Sequence, residues 1–242
     1  MYTQSSLLKF VKSLQNKKKT QSGGMNVSWQ LGSLLQEKSG FLASVLGTLM
    51  FQLLVVFAMF QIIPEDVETL KKIRSFFLMI ILLQLGIIVV LAFVPMHPML
   101  KFVLFTVFAV LIGITTKVAL QKVPHEVIQT AILGTIAIFV TFAIVGAVLA
   151  GFGIDIGFIG LTLLICLFTL IIVSVVYLFM KQSSVINKVL AVFSLILFSI
   201  YIVYDTNIIL QRDYQGDFIT ASLDYFLDVL NIFMNLIRFS QN

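Results

Sequence analysis

Charge is what this sequence lacks most. Of its 242 residues only 11% are Asp, Glu, Lys or Arg, against roughly 25% in an ordinary soluble domain, while 60% are apolar and the mean hydropathy is +1.07. A water-soluble chain of this length could not hide so much apolar surface, which excludes a soluble globular domain and a disordered chain alike. Cysteine is almost absent. The single Cys166 lies in the apolar run LTLLICLFTLII, so no intrachain disulfide exists, and the expectation for it is a small lipid-facing or packing residue. Histidine numbers two, His97 and His125, each isolated beside a proline, which leaves no zinc-ligand spacing. Phosphate loops, nucleophile elbows and paired-His motifs are missing as well, and no enzyme is expected.

What is present is long apolar runs, the mark of a polytopic helical membrane protein. Seven stretches are expected to be helices, at 41–63, 75–94, 102–120, 127–150, 158–180, 189–210 and 218–239. Each of the first five has the roughly 20 apolar residues that a bilayer crossing needs, and an open sheet could not satisfy its backbone in lipid. The expected fold is therefore all-α, with short links that make neighbouring helices antiparallel. Residues 1–40 read as a polar basic tail and 41–242 as one membrane domain. Within the tail, SSLLKFVKSL is weakly amphipathic and QNKKKTQSGG reads as a flexible linker. No cleavable signal peptide is expected, because the first apolar run is too long for one.

The chain carries 16 Lys and Arg against 11 Asp and Glu, a formal charge of +5, and six of the bases fall in the first 40 residues. No aromatic residues interleave with the basic run Lys17, Lys18 and Lys19, so anionic headgroups are the expected partner, not nucleic acid. The bases divide eight and eight between the two sides of the membrane, and the dense tail is placed inside. Among the remaining features, Lys117 is expected to snorkel to the surface, Asp155 to be a loop acid or helix cap, and Gly153 with Gly157 to form a small-residue packing pair.

The seventh stretch, FITASLDYFLDVLNIFMNLIRFSQN, departs from its neighbours. Asp224, Asp228, Asn231, Asn235 and Arg238 are spaced 4, 3, 4 and 3, which puts them within an arc of roughly 80° on a helix. An acid near the bilayer centre costs at least about 2.5–3.5 kcal/mol. The stripe must face protein or water, which suits a central helix; a helix lying on the membrane surface is the other reading of the pattern. The sixth span carries Asp205 with apolar residues on both sides. A turn near Gly216 would fold the last stretch back and bring either Asp228 or Asp224 opposite Asp205. Two carboxylates a few ångströms apart in a low dielectric share one proton and titrate as a unit; deprotonated, they offer hard oxygen ligands to a cation. The plainer alternative is a structural hydrogen bond between helices.

FSIYIVYDTNIIL, followed by DYQGDF and ASLDYFLDVLNIFMNLIRF, resembles the last two spans of the transmembrane Bax inhibitor motif family, which includes Bax inhibitors, lifeguard proteins and Golgi anti-apoptotic proteins. The Tyr-Asp-Thr and Leu-Asp-x-x-Asn-x-Phe steps carry the resemblance over about residues 194–239. It implies a seven-helix fold with the last helix in the middle and a pH-dependent calcium leak associated with suppression of cell death. The implied acidic pair is Asp205 and Asp228, closed when protonated and loosened when deprotonated, with calcium as permeant or bound ion and no other cofactor. Tyr204, Thr206, Asp224, Asn231, Asn235 and Arg238 would line or support the path. Where some bacterial relatives have an Arg cluster after the second span, this chain reads PMHPMLK, leaving Lys101 or Arg238 to stand in as the basic partner of Asp205.

Two functions follow as expectations. One is a pH-sensitive calcium leak gated by the aspartate pair. The other is a non-conducting membrane protein that modulates cell death or membrane-protein quality control by binding partners. Either would be multi-pass, in the plasma membrane of a bacterium or in the endoplasmic reticulum or Golgi of a eukaryotic or virus-infected cell.

Overall fold

The computed structural model describes residues 27–178 and 183–241. The amphipathic start, the linker and most of the basic cluster expected of the tail lie outside these residues. Among the described residues every regular element is helical: α1 (Val27–Glu37), α2 (Ser39–Ile62), α3 (Val67–Ser75), α4 (Phe77–Phe93), α5 (Pro98–Leu120), α6 (His125–Gly151), a 3₁₀ turn (Gly157–Ile159), α7 (Gly160–Leu178), α8 (Ser184–Gln211) and α9 (Phe218–Gln241).

Five helical segments are long and apolar enough to cross a bilayer: α2, α5, α6, the 3₁₀ turn with α7, and α8. A sixth crossing is made if α3 and α4 are counted together, bent by 57° at their junction. The second stretch, expected at 75–94, is found as α4, with α3 bent against it where only a link was expected. The link before it, EDVETLKKIR, is itself mostly helix. Asp66 caps it by accepting from the Thr69 amide at 2.8 Å, and Lys72 pairs with Glu68 one turn away at 2.9 Å. Likewise α1 forms inside the segment read as a polar tail, and Leu31 lies against Gly151 at the end of α6. α9 is long enough to span but more polar than these helices.

α9 lies against α2, α5, α6 and α8. Its Phe226 is fully buried and meets Phe105 and Phe108 edge-on, at ring separations of 5.1 and 5.9 Å; Tyr225 meets Phe139 at 5.1 Å. Two glycines allow close helix contacts around this centre. A Cβ on Gly113 would lie 2.5 Å from Met59 Cβ, and one on Gly146 would lie 2.5 Å from the Val203 carbonyl oxygen. The expected pair of Gly153 and Gly157 does not act this way. Gly153 ends α6 with a φ of +72°, open space surrounds it, and the spacing never falls on one helix.

Candidate functional site

α8 and α9 form the helical hairpin that the sequence predicts. The turn between them runs through Gln215 and Gly216, both at positive φ, and is closed by the Asp217 amide donating to the Tyr214 carbonyl at 2.9 Å. This geometry selects between the two registers left open. Asp205 and Asp228, only 7% and 3% exposed, bring their carboxyl groups together within hydrogen-bonding range. A hydrogen bond between two carboxyl groups requires a proton between them. The outer oxygen of Asp228, Oδ2, is buried with no partner among the described residues.

Asp224 is half-buried one turn nearer the hairpin end. It is close enough for its charge to act on Asp205 and to respond to Asp217 and Lys101. Thr206 shares a buried 2.7 Å hydrogen bond with Tyr225, which ties α8 to α9 beside the pair. Tyr204 turns the other way, its hydroxyl against Gly160 at the start of α7. Asn231 and Asn235 donate back to the Leu227 and Asn231 carbonyls at 2.7 Å, one turn earlier on their own helix, and the Asn235 side-chain oxygen has no partner among the described residues. Asn231 also lines a groove of about 300 Å³ between α4, α5 and α9, together with Gln84 and Thr115. Arg238 is exposed in the last turn of α9, about 15 Å along the axis from Asp228.

The expected basic partners of Asp205 are elsewhere. Lys101 pairs with Asp217 at 2.5 Å and donates to Thr220, because its position in the first turn of α5 lies level with the start of α9. Burial works against the Asp217 carboxylate, but the hydrogen bonds from Lys101 and Thr220 outweigh it and hold the group below the usual carboxylate range. Lys117 does not snorkel into solvent. It is 4% exposed, 4.5 Å above the Phe60 ring, and reaches Glu65 on the α2–α3 link at 2.8 Å. That hydrogen bond lowers Glu65 from its ordinary value. His97 caps α5 and His125 opens α6. Asp155 accepts from the Gly157 amide at 2.7 Å with Arg212 at 3.8 Å, and Cys166 is half-buried against the α7–α8 core.

Sequence reasoning passed over Asn207. It is fully buried, donates to the Ile154 carbonyl at 2.9 Å and accepts from the Ile156 amide at 3.2 Å, so it pins the α6–α7 link onto α8. The signal was available: an amide two residues after Asp205, followed by Ile-Ile-Leu, demands a partner inside a membrane. Gln52 with Thr106 and Gln84 with Thr115, each at 3.1 Å, are further pairs of this kind. Among the described residues no three His, Cys, Asp or Glu are grouped to hold a metal ion, so a calcium ion at the aspartates would meet far fewer than its usual six to eight oxygens from these side chains.

The family described as inhibitor of apoptosis-promoting Bax1 matches residues 38–242. Protein LIFEGUARD 1 of Arabidopsis thaliana is 27% identical over 211 residues, covering 84% of this chain and 88% of its own length. A BI1-like protein of the same plant is 28% identical over 142 residues, 59% of this chain and 55% of the relative. Bax inhibitor 1 of Schizosaccharomyces pombe is 27% identical over 138 residues, 57% and 51% of the two chains. This chain therefore spans only about half the length of two of these three relatives.

Proposed function

The chain belongs to the Bax inhibitor family, and from that premise we propose that it is a multi-pass membrane protein that leaks calcium under the control of Asp205 and Asp228 and thereby restrains cell death. In this reading α9 is the seventh crossing, at the centre, and the bent α3–α4 pair is the second. The protein would act in the plasma membrane of a bacterium or in the endoplasmic reticulum or Golgi of a eukaryotic or virus-infected cell. It needs no catalytic residue and no resident cofactor; its partners are lipid, calcium and protons, and nucleic acid has no part in it.

The observation that carries this reading is the meeting of two buried carboxyl groups between the two helices of a hairpin, one of them with an unpartnered oxygen. With one proton between them the groups attract and hold α8 against α9. Without it, two like charges in a low dielectric repel, and a passing divalent cation neutralises both. Flux should therefore rise with pH. Among the described residues too few ligands gather there to retain calcium, which suits an ion in transit. The test is calcium flux from loaded proteoliposomes across a pH series. A wild-type chain that passes no calcium at any pH would end the reading.

A second reading is favoured by the Thr206–Tyr225 bond and the Asn207 contacts, which make the same region a lock between helices. A non-conducting protein that acts on cell death or membrane-protein quality control through membrane partners would need only that lock. Removing the acids would then lower thermal stability and leave calcium permeability at the level of empty vesicles.

A further inference from the structure

Lys101 and Asp217, at the turn end of the hairpin, take no direct part in the Asp205–Asp228 pair. Asp217 stands just before α9, Asp224 follows seven residues later and Asp228 four beyond that. At 100° per residue the three carboxylates lie within about 40° on one face, over about 16 Å of rise. They form a run of acidic oxygens from the end of the bundle to the pair, and its deep end is the unpartnered, buried Oδ2 of Asp228.

One ammonium lies across the outer end of that run. Lys101, its side chain 12% exposed, reaches over from α5 to Asp217 Oδ2 at 2.5 Å and to the Thr220 hydroxyl. Asp217 is held from the other side as well, since its Oδ1 accepts from the Thr220 amide at 3.0 Å and caps α9. The charge of Lys101 extends one step further in, to Asp224. Among the described residues, Asp205 and Tyr201 on α8, Tyr214 on the turn and Tyr225 on α9 are further titratable groups within reach of these charges, Tyr204 feels them while its hydroxyl turns toward α7, and none of these groups is cationic.

We propose that Lys101 is the entrance latch of the cation path: paired with Asp217 it ties α5 to α9 and sets a positive charge where a cation must enter, and its release from Asp217 opens the run of carboxylates that leads to Asp228. The proposal rests on the leak reading and deepens it. It gives Asp224 a place as the intermediate step, and it separates two controls: the proton at the pair and the ion pair at the mouth.

The test uses the full chain in calcium-loaded proteoliposomes, comparing wild type with Lys101→Met, Lys101→Arg and Asp217→Asn at a pH where wild-type flux is low. Lys101→Met should raise flux about fivefold, the upper range for a partly exposed ion pair. Lys101→Arg, which keeps charge and pairing, should stay near wild type. Asp217→Asn, which keeps the helix cap but frees the ammonium, should raise flux by less. Low-flux wild-type vesicles should also become more permeable as ionic strength increases, while Lys101→Met vesicles should not. If wild type conducts and folded Lys101→Met and Asp217→Asn conduct no more, the latch is overturned and the leak reading stands. If Lys101→Met does not fold, Asp217→Asn and the salt response decide. If wild type itself passes no calcium, both ideas fall.

Discussion

α7 and α9 are both long helices of the same bundle, and their surroundings are opposite. α7 is nearly all apolar and stands at the periphery, with Leu161 69% and Ile172 61% exposed. α9 carries two Asp, two Asn and an Arg, and is buried among four other helices. In water the placement would be reversed. In lipid, acyl chains solvate leucine as well as another leucine does, whereas a carboxyl or amide must find protein or water. Position in this bundle is therefore set by where polar groups are tolerated, and α9 is central because it is the helix lipid accepts least.

The largest effect that bears on this contrast is on α9. Replacing both Asp205 and Asp228 with Asn removes the proton-sharing pair, leaves Asp224 in place and keeps side chains of similar size. The pH dependence of calcium flux should fall sharply, leaving only what Asp224 contributes, while a pair of matched changes on the exposed face of α7 should leave it intact. A pH profile of the double variant that overlays wild type would show that α9 is central for packing reasons alone.

Packing itself gives the next measure. Phe226→Ala opens a cavity between Phe105 and Phe108 and should cost about 3–5 kcal/mol, read as a large drop in melting temperature in detergent. Leu161→Ala on α7 should stay within about 0.5 kcal/mol, because its side chain loses only lipid or detergent contacts. Equal losses at the two sites would break the comparison. Gly146→Ala probes the contact between α6 and α8. The added Cβ meets the Val203 carbonyl oxygen at 2.5 Å and Thr206 Cβ at 2.8 Å, and the overpacking should cost about 1–3 kcal/mol. Since Asp205 lies between those two residues in the chain, the pH profile should shift along with the melting temperature.

The same contrast explains how much was legible beforehand. The spacing of Asp224, Asp228, Asn231 and Asn235 exposed a polar stripe because the rest of the helix is apolar, and the turn at Gly216 placed Asp205 opposite one of two acids. Choosing Asp228 over Asp224 required the register of the packed hairpin, which a two-residue turn at positive φ fixes and composition does not. The bend at Ser75–Phe77 was hidden for a different reason. α3 owes its existence to a cap at Asp66 and a Glu68–Lys72 pair, local devices that hydropathy does not weigh. Lys101 and Lys117 were misjudged because a lone base near the end of an apolar run says nothing about which link passes beside it. Both found carboxylates on distant links, Asp217 and Glu65, that only the tertiary fold brings near.

The smallest effect sharpens the comparison at the outer end of α9. Asp217 is held below its ordinary value of 3.8: burial opposes the charge, but Lys101 and Thr220 more than offset that. A carboxyl lowered in the folded state contributes stability that is complete above the unfolded value and is lost as pH falls through the folded one. Asp217→Asn preserves the cap, since Asn serves at that position as well as Asp, so the variant isolates the charge. It should be less stable than wild type by at most about 1 kcal/mol above pH 4, because the site is partly open to solvent. The difference should close as the pH is taken below 3.8. Melting temperatures measured in detergent across that range decide the matter. A gap that persists unchanged in acid would mean that Asp217 stabilises α9 by geometry alone, and that the ion pair with Lys101 adds nothing to the fold.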